Sequence, residues 1–288
     1  MPPVSQYRSI FRAGLFDGRV AIVTGGGSGI GRCTAHELAA LGATVALIGR
    51  KLERLDAVQA EVTQAGGTAR GYVCDIREED KVRETVAAVS NDFGGIDFLV
   101  NNAGGQFFAP LAKISAKGWD TVVRNNLTGG FLMARECYTQ CMAARGGAIV
   151  NIIADMWQGM PGMGHSGAAR AGMLNFTETA ASEWAPVRVN AVAPGWIASS
   201  GMDHYPPEMA AHIRSLPAKA PLGRLGTESE VSAAIVFLVS PAAAYISGAC
   251  LRVDGAVPNA KRAEWLGQGR TKPFDGFHLA QMPKVLRE

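Results

Sequence analysis

Seven short, mostly apolar runs recur along the chain and are separated by longer segments. The runs cover residues 19–24, 44–48, 70–74, 96–100, 148–153, 187–193 and 249–253. Runs of this length and composition are typical of strands that are buried on both faces of a sheet. The sequence therefore predicts seven buried strands.

Longer segments with helical character follow these strands. They reach to about residue 42 after the first strand and then cover about 53–65, 78–92, much of 115–144, 166–184 and 228–239. A continuous alternation of strand and helix is typical of a parallel sheet with helices on both faces. We therefore predict an α/β fold with a doubly wound, Rossmann-type parallel sheet. It forms a single domain over residues 1–255, with a C-terminal extension over 256–288.

The segment 200–226 is rich in proline and glycine and follows the sixth predicted strand. Open α/β sheets bind their ligands beyond the carboxyl ends of the strands, and binding residues often lie on loops. We therefore expect this segment to be a substrate loop.

Composition and charge fit a globular protein without a nucleic-acid surface. Hydrophobic residues make up 48% and charged residues 18% of the chain, and the formal net charge is +3. No block of like charge is present, which argues against nucleic-acid binding. The net charge lies in the extension, which can attract an anionic substrate or simply be solvated. Its charged residues are Lys261, Arg262, Glu264, Arg270, Lys272, Asp275, Lys284, Arg287 and Glu288.

The cysteines and the apolar segments predict a reduced protein of the cytoplasm. The five cysteines show no disulfide framework, and Cys137 and Cys141 are too few to form a metal site, so we predict no metal. The N-terminus has no apolar signal core. Residues 232–251 carry no charge, but Pro241 and Gly248 interrupt them, and we predict a helix, a turn and a strand rather than a membrane span.

A glycine-rich loop connects the first predicted strand to the first helix. Residues 24–31 read TGGGSGIG. Glycines allow a tight turn and a close approach to a pyrophosphate, and the N–H groups at the helix N-terminus then bind the anion. This position predicts a dinucleotide site. The contacts are expected from Gly25, Ser28, Gly29, Ile30 and Gly31.

The residues that end the second strand indicate which dinucleotide binds. Arg50 and Lys51 follow Gly49, where an acidic residue would select the ribose 2′-hydroxyl of NADH. A guanidinium is well suited to a 2′-phosphate. The pair favours NADPH, unless both bases only flank the start of a helix.

These motifs, with others further along, resemble the short-chain dehydrogenase/reductase family over about residues 15–256. The resemblance implies a dinucleotide-binding fold. It also implies that helices near 115–144 and 166–184 pair between subunits, giving a homodimer or homotetramer. The motif residues that it assigns to the cofactor are Asp75, Ile76, Asn102, Ala103, Gly104, Pro194, Gly195 and Ser199.

Within that family the chain is more similar to peroxisomal-type trans-2-enoyl-CoA reductases and, somewhat less, to 2,4-dienoyl-CoA reductases. Segments 50–55, 104–106, 126–129 and 165–172 carry this similarity. It implies an acyl-thioester substrate and reduction of a C=C bond, as in fatty acid metabolism.

The chain departs from the family where most members carry Ser, Tyr and Lys. Ala154, Ser166 and Arg170 occupy those positions, and Leu174 stands where the enoyl-CoA reductases have a Tyr. The usual acid for carbonyl reduction is therefore missing. Arg170 can still bind the cofactor ribose, but a guanidinium does not titrate near neutral pH.

Other residues can replace the missing acid. Reduction of a conjugated C=C bond puts negative charge on the thioester oxygen, which needs hydrogen-bond donors more than a strong acid. Asn126 and Ser166 can donate. Asp155, with a raised pKa, and His165 are candidate acids, although each can equally be structural. Met156, Trp157, Met160 and Met163 can line an acyl pocket or belong to the core.

The expected function is NADPH-dependent reduction of an enoyl thioester. One alternative is a carbonyl or dienoyl reductase with Asp155 or His165 as its acid. Another is a dinucleotide-binding protein that has lost its chemistry. The expected partners are a small-molecule substrate and further copies of the chain, with no membrane.

Overall fold

The computed structural model describes residues 6–257 and 271–287, and in this part of the chain seven parallel strands form one sheet. Their spatial order is β3-β2-β1-β4-β5-β6-β7. The strands are β1 (Val20–Thr24), β2 (Thr44–Gly49), β3 (Thr68–Val73), β4 (Phe98–Asn101), β5 (Ala148–Ile152), β6 (Arg188–Pro194) and β7 (Cys250–Val253). The prediction of a doubly wound parallel sheet is confirmed.

The strand order reverses between β1 and β4, which are neighbours in the sheet although two strands separate them in sequence. Every residue of β1, β4 and β5 is buried, because helices cover both faces. In such sheets the crevice beyond the carboxyl ends at the reversal point is the usual ligand site.

Helices cover the sheet on two sides and form two large apolar clusters with it. The first side holds α1 (Gly29–Ala40), α2 (Leu52–Gln64) and α9 (Glu228–Val239). The second side holds α3 (Glu79–Phe93), α5 (Gly129–Cys137) and α7 (Gly164–Glu183). The buried sulfur atoms of Cys137 and Cys141 belong to this second cluster. Among the described residues no three His, Cys, Asp or Glu side chains gather as a metal site.

The helix predicted over much of 115–144 is present but not uniform. It runs as α4 (Ala116–Val123), α5 and the short α6 (Ala143–Arg145), joined by π-helical turns at Arg124–Thr128 and Tyr138–Met142. Such π-turns occur frequently at functional sites. The first one contains Asn126, so the irregularity coincides with a predicted site residue.

The segment after β6 contains more regular structure than its composition predicts. Short 3₁₀ turns at Ser200–His204 and Pro207–Met209 lead into helix α8 (Ala210–Lys219). Pro207 begins a short turn, where a missing N–H costs little, whereas Pro217 lies inside α8 and removes one of its backbone hydrogen bonds close to the end of the helix. Interpreting 200–226 simply as a loop was therefore incomplete.

The C-terminal segment packs back onto the body of the molecule. Phe277 is buried against Tyr7 and Cys33, and the Arg8 N–H donates to the Gly276 carbonyl. Near the end of the chain, the Val285 N–H donates to Asp203 at 3.3 Å. The extension predicted over 256–288 lies partly outside the described residues, because 258–270 and 288 are not described, so its boundary remains a prediction.

The charge-free stretch 232–251 folds as predicted, as the greater part of α9, a turn at Pro241–Ala243 and the start of β7. In the part of the chain that the structure describes, no helix has the length and hydropathy that a membrane span requires.

Candidate active site

The glycine loop leaves β1 and leads directly into the N-terminus of α1. Gly25 has φ +66°, and a Cβ on Gly31 would collide with the Gly25 carbonyl oxygen. Both positions therefore require glycine. The N-cap residue of α1, Ser28, makes no side-chain cap, which leaves the first-turn N–H groups available to an anion.

Three hydrogen bonds join the start of this loop to the end of β4. The Asn102 side chain donates to the Thr24 carbonyl at 2.9 Å. The backbone N–H groups of Asn102 and Ala103 both donate to the Thr24 hydroxyl, each at 2.9 Å. The motif at 101–104 thus fixes the two sides of the crevice at the point where the strand order reverses.

The predicted selectors of the 2′-phosphate lie at the carboxyl end of β2. Arg50 and Lys51 are exposed, and Lys51 is the N-cap residue of α2. Sequence reasoning missed Arg54, whose Cβ would lie 3.0 Å from a Cβ built on Gly27 of the glycine loop. The chain therefore offers up to three cations beside the loop.

Asp75, predicted to contact the adenine, is held by another residue in this structure. The Arg77 guanidinium binds its carboxylate, with Nε 2.8 Å from Oδ1 and Nη2 2.5 Å from Oδ2. Hydrogen bonds from Arg77 hold the pKa of Asp75 below its usual range, and Arg50 contributes. The Ile76 side chain is buried against Gly129.

Arg170 is a buried cation without a carboxylate partner among the described residues. Its Nη1 donates to the Ile152 carbonyl at 2.5 Å, while its Nε has no hydrogen-bond partner there. Burial lowers the pKa of Arg170 to about 10, so the group is still charged at neutral pH. Its Nη2 would overlap a Cβ on Gly104, which explains why that position is a glycine.

Asn126 holds the loop that follows the Asn-Asn-Ala-Gly motif. Its Oδ1 accepts from the Gly105 N–H and its Nδ2 donates to the Gly105 carbonyl, both at 2.9 Å. The side chain is therefore engaged with the backbone on two sides. Its role as a hydrogen-bond donor to the substrate stays a prediction. That role would require the second N–H of the amide, because the first donates to Gly105.

Ser166 occupies the position of the family tyrosine and is fully buried. Its hydroxyl donates to Gln106 Oε1 at 2.7 Å. The Gln106 Nε2 in turn donates to the Tyr205 hydroxyl at 2.8 Å. The structure thus links Ser166 to the segment after β6. Sequence reasoning missed Gln106 and Tyr205, because their distances of 60 and 39 residues from Ser166 give no local signal.

His165 is fully buried and stabilises the start of its own helix. Its Nδ1 accepts the Ser166 N–H at 2.9 Å, so the neutral ring carries its proton on Nε2. That Nε2 has no partner among the described residues. The ring lies edge-on to Phe107, with the centroids 4.3 Å apart. The capping contact supports the structural interpretation of this residue.

Asp155 lies on the other side of the site, beside the end of β7. Burial raises the pKa of Asp155, and Asp254 raises it further, while Arg252 lowers it. Arg252 itself binds Asp254 at 2.7 Å and lies over the Trp157 ring. The charges that act on Asp155 are thus Arg252 and Asp254 at the end of β7, and its raised pKa still allows an acid role.

The Pro-Gly motif at the end of β6 packs against the residue that follows β7. A Cβ on Gly195 would come within 2.7 Å of the Asp254 Cα, so only glycine fits there. Pro194 ends β6, and Ser199 is the N-cap residue of the first 3₁₀ turn. Their predicted cofactor contacts remain predictions.

Exposed aromatic and aliphatic side chains lie beside the start of α7, and we call this group the apolar mouth of the site. Phe107, Phe108 and Leu111 follow β4 and are 40%, 44% and 65% exposed. The Ala109 N–H donates to the Gly162 carbonyl, which joins this segment to the one after β5. Trp157 is also exposed, whereas Met156 packs into a small core cluster. The apolar mouth is thus richer in Phe and Leu than predicted.

Comparisons with known proteins place this site in a family. Residues 25–257 match the model described as "Enoyl-(Acyl carrier protein) reductase". A probable 2,4-dienoyl-CoA reductase of Bacillus subtilis is 34% identical over 82% of this chain and 95% of its own length. The chain belongs to the short-chain dehydrogenase/reductase family. It is therefore an oxidoreductase, and the family resemblance stated from the motifs is confirmed.

Other relatives have different named activities. The 3-oxoacyl-[acyl-carrier-protein] reductase FabG of Thermotoga maritima is 36% identical over 84% of this chain and 98% of its own. The solved structure of the citronellol catabolism dehydrogenase AtuB of Pseudomonas aeruginosa is 59% identical, with a TM-score of 0.79. It matches 87% of this chain and 99% of that one. Members of the family act on small molecules, but these names span more than one reaction.

The residues of this short-chain dehydrogenase/reductase fit a nicotinamide dinucleotide. The uncapped N-terminus of α1 offers N–H groups to a pyrophosphate, and the glycines leave the space that a Cβ would fill. The unpaired Nε of buried Arg170 offers a donor to ribose hydroxyls, where the family has a lysine.

Proposed function

We propose that this protein reduces the conjugated C=C bond of an enoyl thioester with NADPH. The main support is that Ala154, Ser166 and Arg170 replace the catalytic Ser, Tyr and Lys of the family. The glycine loop and the Asn-Asn-Ala-Gly motif that hydrogen-bonds to it are nevertheless both present. The similarity to a dienoyl-CoA reductase supports a thioester substrate.

The chemistry of the two reductions explains why this observation favours C=C over C=O. When bound, the reduced nicotinamide supplies a hydride. Addition to a saturated ketone produces a localised alkoxide, which requires a well-placed acid. Addition to an enoyl thioester spreads the charge over an enolate, which neutral hydrogen-bond donors can stabilise. In this site the available donors are the second amide N–H of Asn126, since the first donates to Gly105, and a hydroxyl group of the hydrogen-bonded network around Ser166.

Arg50 and Lys51 support NADPH as the cofactor. Both are exposed at the end of β2, beside the glycine loop, and neither makes an ion pair within the described residues. Arg170 would hold the nicotinamide ribose. It contributes a fixed positive charge and hydrogen bonds, and with a pKa of about 10 it does not exchange protons at neutral pH.

A second candidate is oxidation of a branched, acyclic alcohol or reduction of its aldehyde. It is favoured by the 59% identity to a protein named as a citronellol catabolism dehydrogenase. A third candidate, a dinucleotide-binding protein without turnover, follows from the three replacements alone.

A substrate panel with NADPH and NADH separates these functions. Trans-2-enoyl-CoA, 2,4-dienoyl-CoA and 3-oxoacyl-CoA esters and citronellal are tested for NADPH consumption, with citronellol and NADP⁺ for the reverse direction. Turnover of enoyl esters with 3-oxoacyl esters untouched is the expected result. Efficient turnover of 3-oxoacyl esters or citronellol with enoyl esters untouched would overturn the proposal, as would cofactor binding without any turnover.

A further inference from the structure

A tyrosine from the segment after β6 enters the site in which the family tyrosine is missing. Tyr205 directly follows the 3₁₀ turn Ser200–His204, and its ring is partly buried. It packs against an apolar cluster formed by Met202, Ile213, Leu216 and Leu225. The ring is therefore held by apolar contacts, while its hydroxyl takes part in the polar network of the site.

That hydroxyl is connected to the position of the missing acid through a single side chain. Gln106 accepts from Ser166 at 2.7 Å and donates to the Tyr205 oxygen at 2.8 Å. Because the oxygen and the nitrogen of the Gln106 amide are both used, the direction of donation is fixed from Ser166 to Gln106 and from Gln106 to Tyr205. The Tyr205 oxygen is thus an acceptor in this network, and its own proton points elsewhere.

The phenolic proton has only a weak acceptor within the described residues. The Tyr205 oxygen lies 3.8 Å from the Met163 sulfur. A thioether is a poor acceptor, so a carbonyl oxygen that enters the site would displace this contact at little cost. By contrast, the Ser166 proton is already committed to Gln106 and one N–H of Asn126 to Gly105.

We propose that Tyr205 is the proton donor of this enzyme and supplies the acid that Ser166 no longer provides. The inference rests on the proposed reduction. As hydride adds to the β-carbon, the electron pair of the C=C bond forms a double bond between the α-carbon and the carbonyl carbon, and the carbonyl π pair moves onto the thioester oxygen. The Tyr205 O–H bond breaks and an O–H bond forms on that oxygen. The resulting enol gains a proton at its α-carbon and loses one from oxygen to solvent.

The partly exposed Tyr205 then takes a proton back from solvent. During the step, the Gln106 N–H stabilises the phenolate, which makes Gln106 a positioning residue rather than an acid. The acid therefore comes from the segment after β6 instead of from α7.

The C-terminal segment supports the placement of Tyr205. Val285 and Leu286 pack against the same apolar cluster as Tyr205, and the Val285 N–H donates to Asp203, two residues before it. The tyrosine is thus attached to a segment that is packed on two sides, as a catalytic group requires.

The test uses Tyr205→Phe, with Tyr245→Phe as the matched control because Tyr245 is fully exposed. The substrate is the best-reduced compound of the panel above. Tyr205→Phe should lower kcat by about 100- to 1,000-fold, the usual range for loss of a general acid, with KM and NADPH affinity within a few-fold. Gln106→Leu should cause a smaller loss, and Tyr245→Phe none. Melting temperatures show whether each variant is folded.

A second readout does not depend on turnover. A saturated acyl-CoA ester labelled at its carbonyl carbon is bound to the protein with NADP⁺ and followed by NMR. A hydrogen bond from Tyr205 should shift the carbonyl signal downfield, and Tyr205→Phe should abolish that shift. A folded Tyr205→Phe that retains normal kcat overturns the inference alone. Failure of the unmodified protein to reduce any panel compound, with no Tyr205-dependent shift, overturns both it and the proposed function.

Discussion

Arg50 and Lys51 are the two surface charges on which our assignment of NADPH as the cofactor rests. We expect NADPH to bind more tightly than NADH by about 1–3 kcal/mol, or about 5- to 150-fold, if both contact the 2′-phosphate. The double variant Arg50→Ala/Lys51→Ala should lose this advantage and leave NADH affinity unchanged. Calorimetric titration of both cofactors measures it.

The control for this experiment is Arg70→Ala, which removes an exposed arginine from the first half of β3, where it pairs with Asp92. It should not alter the ratio of the two affinities. Equal affinities for NADPH and NADH in the unmodified protein, or a preference for NADH, would contradict the assignment.

Arg170 is a buried charge that the protein without cofactor leaves uncompensated. Its pKa of about 10 lies below the ordinary value because burial penalises the charged form, so the unfolded chain binds this proton more tightly. Between about pH 10 and the ordinary pKa of an arginine side chain, the contribution of Arg170 to the free energy of unfolding therefore rises with pH. At neutral pH the penalty is on the order of 3 kcal/mol.

Arg170→Met should therefore leave the cofactor-free protein as stable or more stable, by up to about 3 kcal/mol, despite the lost bond to Ile152. The rise in melting temperature on adding NADPH should shrink if, as we propose, Arg170 binds the ribose. Urea denaturation and thermal melts measure both quantities. A variant that is clearly destabilised and retains the full NADPH-induced rise would refute this account.

Helices α1 and α9 bring a carboxylate to the phosphate loop. Glu228, at the start of α9, has its Oε1 3.8 Å from where a Cβ on Gly29 would lie. Burial raises the pKa of Glu228 to about 7, although Arg32 on α1 lowers it. Its charge also acts on the buried Cys33 thiol. At alkaline pH an ionised Glu228 would repel a pyrophosphate bound to α1.

Dinucleotide affinity should therefore fall as pH rises through about 7, and Glu228→Gln should remove most of this fall. NADH is the suitable probe, because the 2′-phosphate of NADPH titrates in the same range. The free energy of unfolding also falls as the pH rises, because of the same carboxyl group. The folded pKa is raised, so stability is lost from about pH 4.5 to 7 as the carboxylate ionises.

Glu37→Gln provides a matched control for this prediction. Burial also raises the pKa of Glu37 to about 7. Glu37 lies further along α1 than the phosphate loop, and its carboxylate accepts hydrogen bonds from Tyr7 and Ser232. This variant should change stability without changing the pH dependence of NADH binding. If Glu228→Gln has the same pH dependence as the unmodified protein, the electrostatic link between α9 and the loop is wrong.

At the scale of the whole molecule, we expect a dimer or tetramer. The family resemblance implies that the helices over 116–145 and 164–183 pair between subunits. Among the described residues β7 is also an edge strand of the sheet, and its Leu251 is partly exposed, which is typical of a strand that can pair with another chain. Light scattering at micromolar concentration should show more than one subunit. A monomer there would contradict this expectation, and Leu251→Glu tests whether the β7 edge contributes.

The sequence determined the sheet, the helices and the cofactor framework of this protein. These features have local signals, because a buried parallel strand must be a short apolar run and a phosphate loop must have glycine where a Cβ would collide. Gly25, Gly31 and Gly195 are all required by such contacts in the structure. The family followed from the same motifs, and the comparisons confirmed it.

Only the tertiary structure decided how the polar residues beyond that framework are connected. Asp155 and Ser166 lie close in sequence, yet Asp155 is influenced by the charges of Arg252 and Asp254 while Ser166 donates a hydrogen bond to Gln106. Tyr205 is held in place because the segment after β6 forms an apolar cluster against which the C-terminal segment also packs. Hydrogen bonds between residues 60 and 99 positions apart depend on where whole elements lie, and no periodicity or spacing in a single sequence records that.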